Sequence, residues 1–187
     1  MRILRWVYPS LVGLLLGSLQ TGLYFQLSFT LSSSFTTFLM VTLCWLIGSV
    51  VGVRLLQGMH VALNAFLLLA LLAYFACAVF LNTAPFNTQL WPIYAILIIV
   101  TGFYPGVFFA RLGTVYSARD LFFRENNGFI LGLISSTLLF LLYGRVALWL
   151  MPLLMAVMVF FYGNSFKPQR ATPESPSELP LKLKQTR

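Results

Sequence analysis

The chain has 187 residues, 59 % of them apolar and 9 % charged, with a formal net charge of +8 and a mean hydropathy of +0.89. A soluble domain carries roughly 25 % charged residues, so this composition excludes a water-covered globule and leaves lipid or other protein as the surroundings. The basic excess argues for no nucleic-acid partner, because Lys and Arg flank apolar segments instead of gathering on one patch.

A crossing helix needs about 20 mostly apolar residues, and six stretches meet that length: about 7–29, 35–56, 61–81, 90–112, 128–144 and 146–163. The fold class expected is all-α, a polytopic integral membrane protein forming a six-helix transmembrane bundle over 1–163. Arg2 and Arg5 precede the first stretch as they would in a signal peptide. No small-residue cleavage site follows, however, and the stretch reads as a retained membrane helix. Residues 30–34 and 82–89 are uncharged polar turns. The segment 113–127 is the longest basic connection, and Leu121, Phe122 and Phe123 beside the Asp120–Arg124 pair predict a short interfacial helix there. Beyond Gly163, four prolines among Ser, Thr, Glu and Lys predict a disordered cytoplasmic tail over 164–187.

Orientation follows from the cations. With the N-terminus in the cytoplasm, eleven of the twelve Lys and Arg residues lie inside and only Arg145 lies outside. Both termini are therefore expected in the cytoplasm, with the protein in a plasma or inner membrane. Cys44 and Cys77 fall inside apolar runs and read as small buried hydrophobes.

Helices surrounded by lipid gain no hydrophobic drive from meeting each other, so small residues four apart mark close contacts. Gly13 and Gly17, Gly48 and Gly52, Gly102 and Gly106, and Gly128 and Gly132 supply that spacing on the first, second, fourth and fifth stretches. Those four are expected to form the packed centre, and the third and sixth, with scattered Ala, the periphery. On that reading Leu at Ala70 or Ala73 is tolerated. Pro105 removes a backbone hydrogen bond within the fourth stretch and is expected to kink or break it.

No ionisable side chain lies deep in any of the six stretches, which weighs against an ion pump, proton relay or voltage sensor. His60 is the only histidine, so neither a haem nor a metal site is expected. Gly-x-Ser-x-Gly, His-Glu-x-x-His, Cys-x-x-Cys and phosphate-loop motifs are absent. The reading is therefore of no enzyme, no cofactor and no metal. Candidate cavity residues are Gln20, Asn64 and Thr101, the first a full amide on a Gly-rich helix. Arg54, Arg111, Arg119, Asp120, Arg124 and Glu125 form a candidate charged loop on the inner face, suited to a phosphate or lipid headgroup.

Leu46-Ile47-Gly48-Ser49-Val50-Val51-Gly52-Val53-Arg54 resembles the second span of major-facilitator-like membrane domains. Gly102-Phe103-Tyr104-Pro105-Gly106 through Arg111 is similar to a Gly-rich fourth span ending in Arg, and Glu125-Asn126-Asn127-Gly128 with Gly132 resembles the acidic opening of the next. In that order, over about 35–150, they resemble the membrane region attached to spermidine-synthase-like proteins. The resemblance implies a transporter-like fold. It implies no aminopropyl transfer, because the soluble methyltransferase-like domain has no counterpart here, and the segment after Arg54 lacks the family's Asp. Six spans are half of a full transporter, so a transport role implies a homo-oligomer or a membrane protein partner. The sequence thus leaves three readings: a transporter-like protein that binds or moves a small organic or amphipathic molecule, a scaffold subunit of a membrane complex, and a lipid enzyme working through the charged loop.

Overall fold

In a computed structural model, residues 2–56 and 62–165 are described; the expectations for His60 and for the tail beyond Ser165 lie outside them. The described residues form α1 (Arg2–Thr30), α2 (Phe35–Leu56), α3 (Leu63–Thr83), α4 (Trp91–Leu112), α5 (Ala118–Tyr143) and α6 (Arg145–Ser165), with one 3-10 turn at Thr88–Leu90 and no strand. All six helices are long and apolar enough to cross a membrane.

Local chemistry sets the boundaries. Ser34 caps α2 by accepting the Thr37 N–H at 3.4 Å, and Ser117 caps α5 by accepting the Asp120 N–H at 3.2 Å. Pro92 opens α4, where its missing N–H costs nothing. Gly144, at φ 65°, turns the chain from α5 into α6. The α5 start differs from expectation. The predicted interfacial helix over 113–127 is instead the first turns of α5, continuous with its apolar part, because no helix breaker lies between the Ser117 cap and Gly128. Helix α4 runs unbroken through Pro105.

Six helices alternate in direction. The N-termini of α1, α3 and α5 meet the C-termini of α2, α4 and α6 at one end, which carries Arg54, Arg111, Arg119 and Arg124 and is called here the basic end. Across-helix contacts fix this: Tyr8 packs on Phe108, Phe109 stacks on Phe122 at 4.7 Å, and Gly163 faces Tyr8.

Two parallel pairs dominate the packing, α1 with α5 and α2 with α4. In each, glycines bring the backbones together in one shared register. A Cβ on Gly13 or Gly17 would strike the carbonyl of Glu125 or Phe129, three residues before Gly128 and Gly132. Those two glycines face the carbonyls of Ser10 and Leu14, three residues before Gly13 and Gly17. The α2–α4 pair repeats the pattern: Gly48 and Gly52 against Ile99 and Phe103, and Gly102 and Gly106 against Trp45 and Ser49. Because the missing Cβ points at a carbonyl, one Cα–H of each glycine points there too, the geometry of a weak Cα–H···O bond worth about 0.5–1 kcal/mol.

The chain therefore divides into α1–α3 and α4–α6, and the first helix of each half packs most closely on the second and third helices of the other. With three helices apiece, the halves run in opposite senses. This places the centre differently from expectation. The spans in α1 and α4 are 67 % and 50 % buried, but those in α2 and α5 only 28 % and 17 %. Glycine spacing reports a close contact on one side of a helix and says nothing of its other sides, so α2 and α5 are outer helices tied to a central pair. Ala70 and Ala73 are buried rather than peripheral, since α3 turns its small residues toward α1 and α4.

Replacing Gly132 with Leu should therefore lower the folded stability by about 1–3 kcal/mol or more through overpacking. Leu at the exposed Ala65 should be neutral. Thermal melts of both variants in mild detergent check this, and equal tolerance would refute the contact.

Candidate functional site

The α1–α5 pair changes its spacing along its length. Near the basic end glycines hold it close; toward the far end Phe140 stacks on Phe25 at 4.8 Å and on Phe29 at 5.2 Å, and rings replace backbone contact. Between these zones the helices part beside α2 and leave a crevice of about 300 Å³. Gln20, Thr21, Tyr24 and Phe25 of α1 form its floor, with Phe38, Val41 and Thr42 of α2 and Phe129, Leu133 and Thr137 of α5 as walls. Tyr24 meets Phe38 edge-on at 5.9 Å across its rim.

Five of those side chains carry a polar group, the Tyr24 hydroxyl included, and none is charged. Thr137 donates back to the Leu133 carbonyl at 2.8 Å, as hydroxyls on membrane helices commonly do. Gln20, Thr21 and Thr42 make no hydrogen bond among the described residues, and Gln20 is only half-buried. An uncommitted amide and two hydroxyls in an otherwise aromatic and aliphatic crevice offer donors and acceptors to a small molecule while the rings cover its apolar part.

The other sequence candidates do not join Gln20. Thr101 is fully buried on α4 and donates to the Leu97 carbonyl at 2.8 Å. Asn64 sits at the basic end of α3, in crevices away from α5. The charged set divides as well. Arg119, Asp120 and Arg124 line one surface crevice with Ser10 and Asn127; Arg111 opens onto another with Tyr8 and Asn64; Arg54 is exposed at the end of α2. Glu125 is only 8 % exposed, on the α5 stripe that also carries Leu121, Gly128 and Gly132 and packs on α1. Placing the fifth span at 128 had assigned this carboxyl to a loop, whereas it lies within a helix. Among the described residues no cluster of His, Cys, Asp and Glu is arranged to hold a metal.

One buried network lay outside the sequence reading. Pro152 has no N–H, so the Leu148 carbonyl four residues earlier loses its helical donor. The Tyr74 hydroxyl donates to that carbonyl and accepts from Gln26 Nε2 at 2.8 Å, joining α1, α3 and α6. Gly22 leaves the room that the Tyr74 ring needs. The signal in the sequence was the proline: a carbonyl stripped of its donor in an apolar stretch requires a polar side chain from elsewhere.

The two glutamines of α1 should therefore respond oppositely. Gln26→Leu, which strips Tyr74 of its donor, should cost about 0.6–1.7 kcal/mol, the range for such bonds in membranes. Gln20→Leu removes an unpaired amide and should leave the melting temperature unchanged or raised. A loss at Gln20 equal to that at Gln26 would show that its amide is structurally committed.

Comparison with protein-family models, with curated proteins and with solved structures finds no match to this chain.

Proposed function

We propose that this chain is an integral membrane protein of six spans, with both termini in the cytoplasm, that binds and moves a small uncharged amphipathic molecule through the Gln20 crevice as an oligomer. The observation that carries this reading is the pair of oppositely directed three-helix halves, cross-packed through two glycine contacts of the same register. Inverted repeats of this kind let one assembly present a site to either side of a membrane by rocking one part against another. A fold names no function by itself. The crevice supplies the chemistry, with three polar groups free to bind and no charge to select an ion. The cation distribution supports the orientation, with the basic end facing the cytoplasm. The major-facilitator-like resemblance, in which six spans make half a transporter, supports the oligomer.

The scaffold reading has weaker support. It needs the glycine faces and the basic inner surface to hold a partner, and all eight of those glycines already lie against helices of the same chain, which leaves it only the basic surface. The lipid-enzyme reading needs Arg111, Arg119, Asp120 and Glu125 around one pocket, whereas they lie in three different settings.

Cysteine accessibility tests the proposal without knowledge of the substrate. With Cys44 and Cys77 replaced by Ala, cysteine at Gln20 or Thr42 is probed with a membrane-impermeant maleimide in vesicles of each orientation. Transport predicts labelling from both sides, because the crevice opens to each in turn. Labelling from one side only, or from neither, would refute movement across the membrane.

A further inference from the structure

The middle of α3 is tied to the far end of α6 by the Tyr74–Leu148 hydrogen bond and the Phe75–Trp149 contact at 6.3 Å. Toward the basic end the two helices enclose a groove of about 230 Å³, walled by Leu67 and Leu71 on one side and Leu153, Val157 and Phe160 on the other. Its walls are aliphatic and aromatic, with Asn64 the one polar residue among them. From Asn64 to Leu71 the groove runs about 10 Å along α3, at 1.5 Å per residue.

Asn64 also lines a second crevice, of about 300 Å³, at the basic end itself. There the exposed Arg111 closes α4 and Thr114 follows it, its hydroxyl bonded to the Arg111 carbonyl at 2.8 Å. Among the described residues no acidic side chain lines this crevice, in contrast to the Arg119–Arg124 crevice, where Asp120 offsets the cations. A cationic polar crevice thus adjoins an apolar groove, with Asn64 lining both.

We infer that the two form one site for an anionic phospholipid, with the phosphate at Arg111 and one acyl chain in the α3–α6 groove. The inference rests on the membrane reading proposed above but not on the Gln20 crevice. The guanidinium suits a phosphate diester through charge-assisted hydrogen bonds, and basic pockets between helices on the cytoplasmic side are where acidic headgroups bind. The Tyr74–Leu148 bond and the Phe75–Trp149 contact bound the groove halfway along α3, which sets this site apart from a path across the membrane. It holds a chain and leads nowhere.

Native mass spectrometry of the full chain in mild detergent tests the site, with dioleoyl phosphatidylglycerol or dioleoyl phosphatidylcholine added at equal concentration. One phosphatidylglycerol should be retained in preference to phosphatidylcholine, and Arg111→Gln should reduce that retention about five-fold, as expected for the loss of one cation at the surface. Arg111→Lys should keep most of it. Val157→Trp, at an exposed position, should reduce retention by filling the groove, and inorganic phosphate should not displace the lipid. Circular dichroism and melting of each variant show that it is folded. Equal retention of the two lipids, no effect of Arg111→Gln in a folded protein, or full displacement by phosphate with Val157→Trp inert would each overturn the inference. Release of the protein from native membranes by alkaline carbonate would instead sink the membrane reading itself.

Discussion

Where the two parallel helix pairs meet, each glycine lies under a carbonyl of its neighbour, and the partner's glycine follows that carbonyl by three residues. Helices in an apolar surrounding gain little by hiding apolar side chains from one another. What they gain comes from close backbone approach, which raises dispersion contact and brings Cα–H groups to carbonyls. One added methyl group at any of these glycines would end that approach. The rest of the architecture follows from it. Because α1 is bound to α5 and α4 to α2, neither half of the chain closes on itself. Each lends its first helix to the other, and α1 and α4 become the centre.

The same constraint shapes the crevice. Helices held at backbone distance by glycine and at ring distance by Phe25 and Phe140 cannot stay equally spaced, and they part between those zones. Gln20, Thr21 and Thr42 lie at that parting. On the far side of the bundle a different device acts. Pro152 exposes a carbonyl, Tyr74 satisfies it, and α6 is thereby tied to the middle of α3, with a groove between the two toward the basic end. Both openings arise where a close contact gives way to a looser one, and Gln20, Thr21 and Thr42 line the first of them without an internal partner among the described residues.

Hydropathy made the six helices legible in the sequence, since apolar runs of crossing length leave little choice of secondary structure, and the ends fell within a few residues except at α5. There, a charged and aromatic stretch reads by hydropathy as a connection with a separate short interfacial helix, yet Ser117 caps it and nothing breaks it before Gly128, so it belongs to the membrane-length helix itself. Glu125 was misplaced with it. The glycine spacing identified which helices have a close-contact side but not which helix lies across each contact. That pairing depends on residues roughly 50 or 115 positions apart, and no local pattern encodes it. For the same reason Ala70 and Ala73 looked peripheral, although α3 turns them inward. Of the three cavity candidates, only Gln20 shares the crevice with other uncommitted polar groups. Thr101 bonds its own helix and Asn64 lies at the basic end, because polarity alone does not say which way a side chain faces.

The cross-packing of the two halves is the central claim, and covalent capture across it is the most direct test. A protease site is placed in the α3–α4 connection beside the exposed Phe86, with Cys44 and Cys77 replaced by Ala. Cysteines then replace Phe25 and Phe140, whose rings stack at 4.8 Å although they belong to different halves. After treatment in the membrane with a short bis-maleimide and then with protease, the halves should stay joined as a single denatured band, and should separate when the cross-linker is omitted. Two separate fragments despite full modification of both cysteines would mean that α1 does not lie against α5, and would contradict the account.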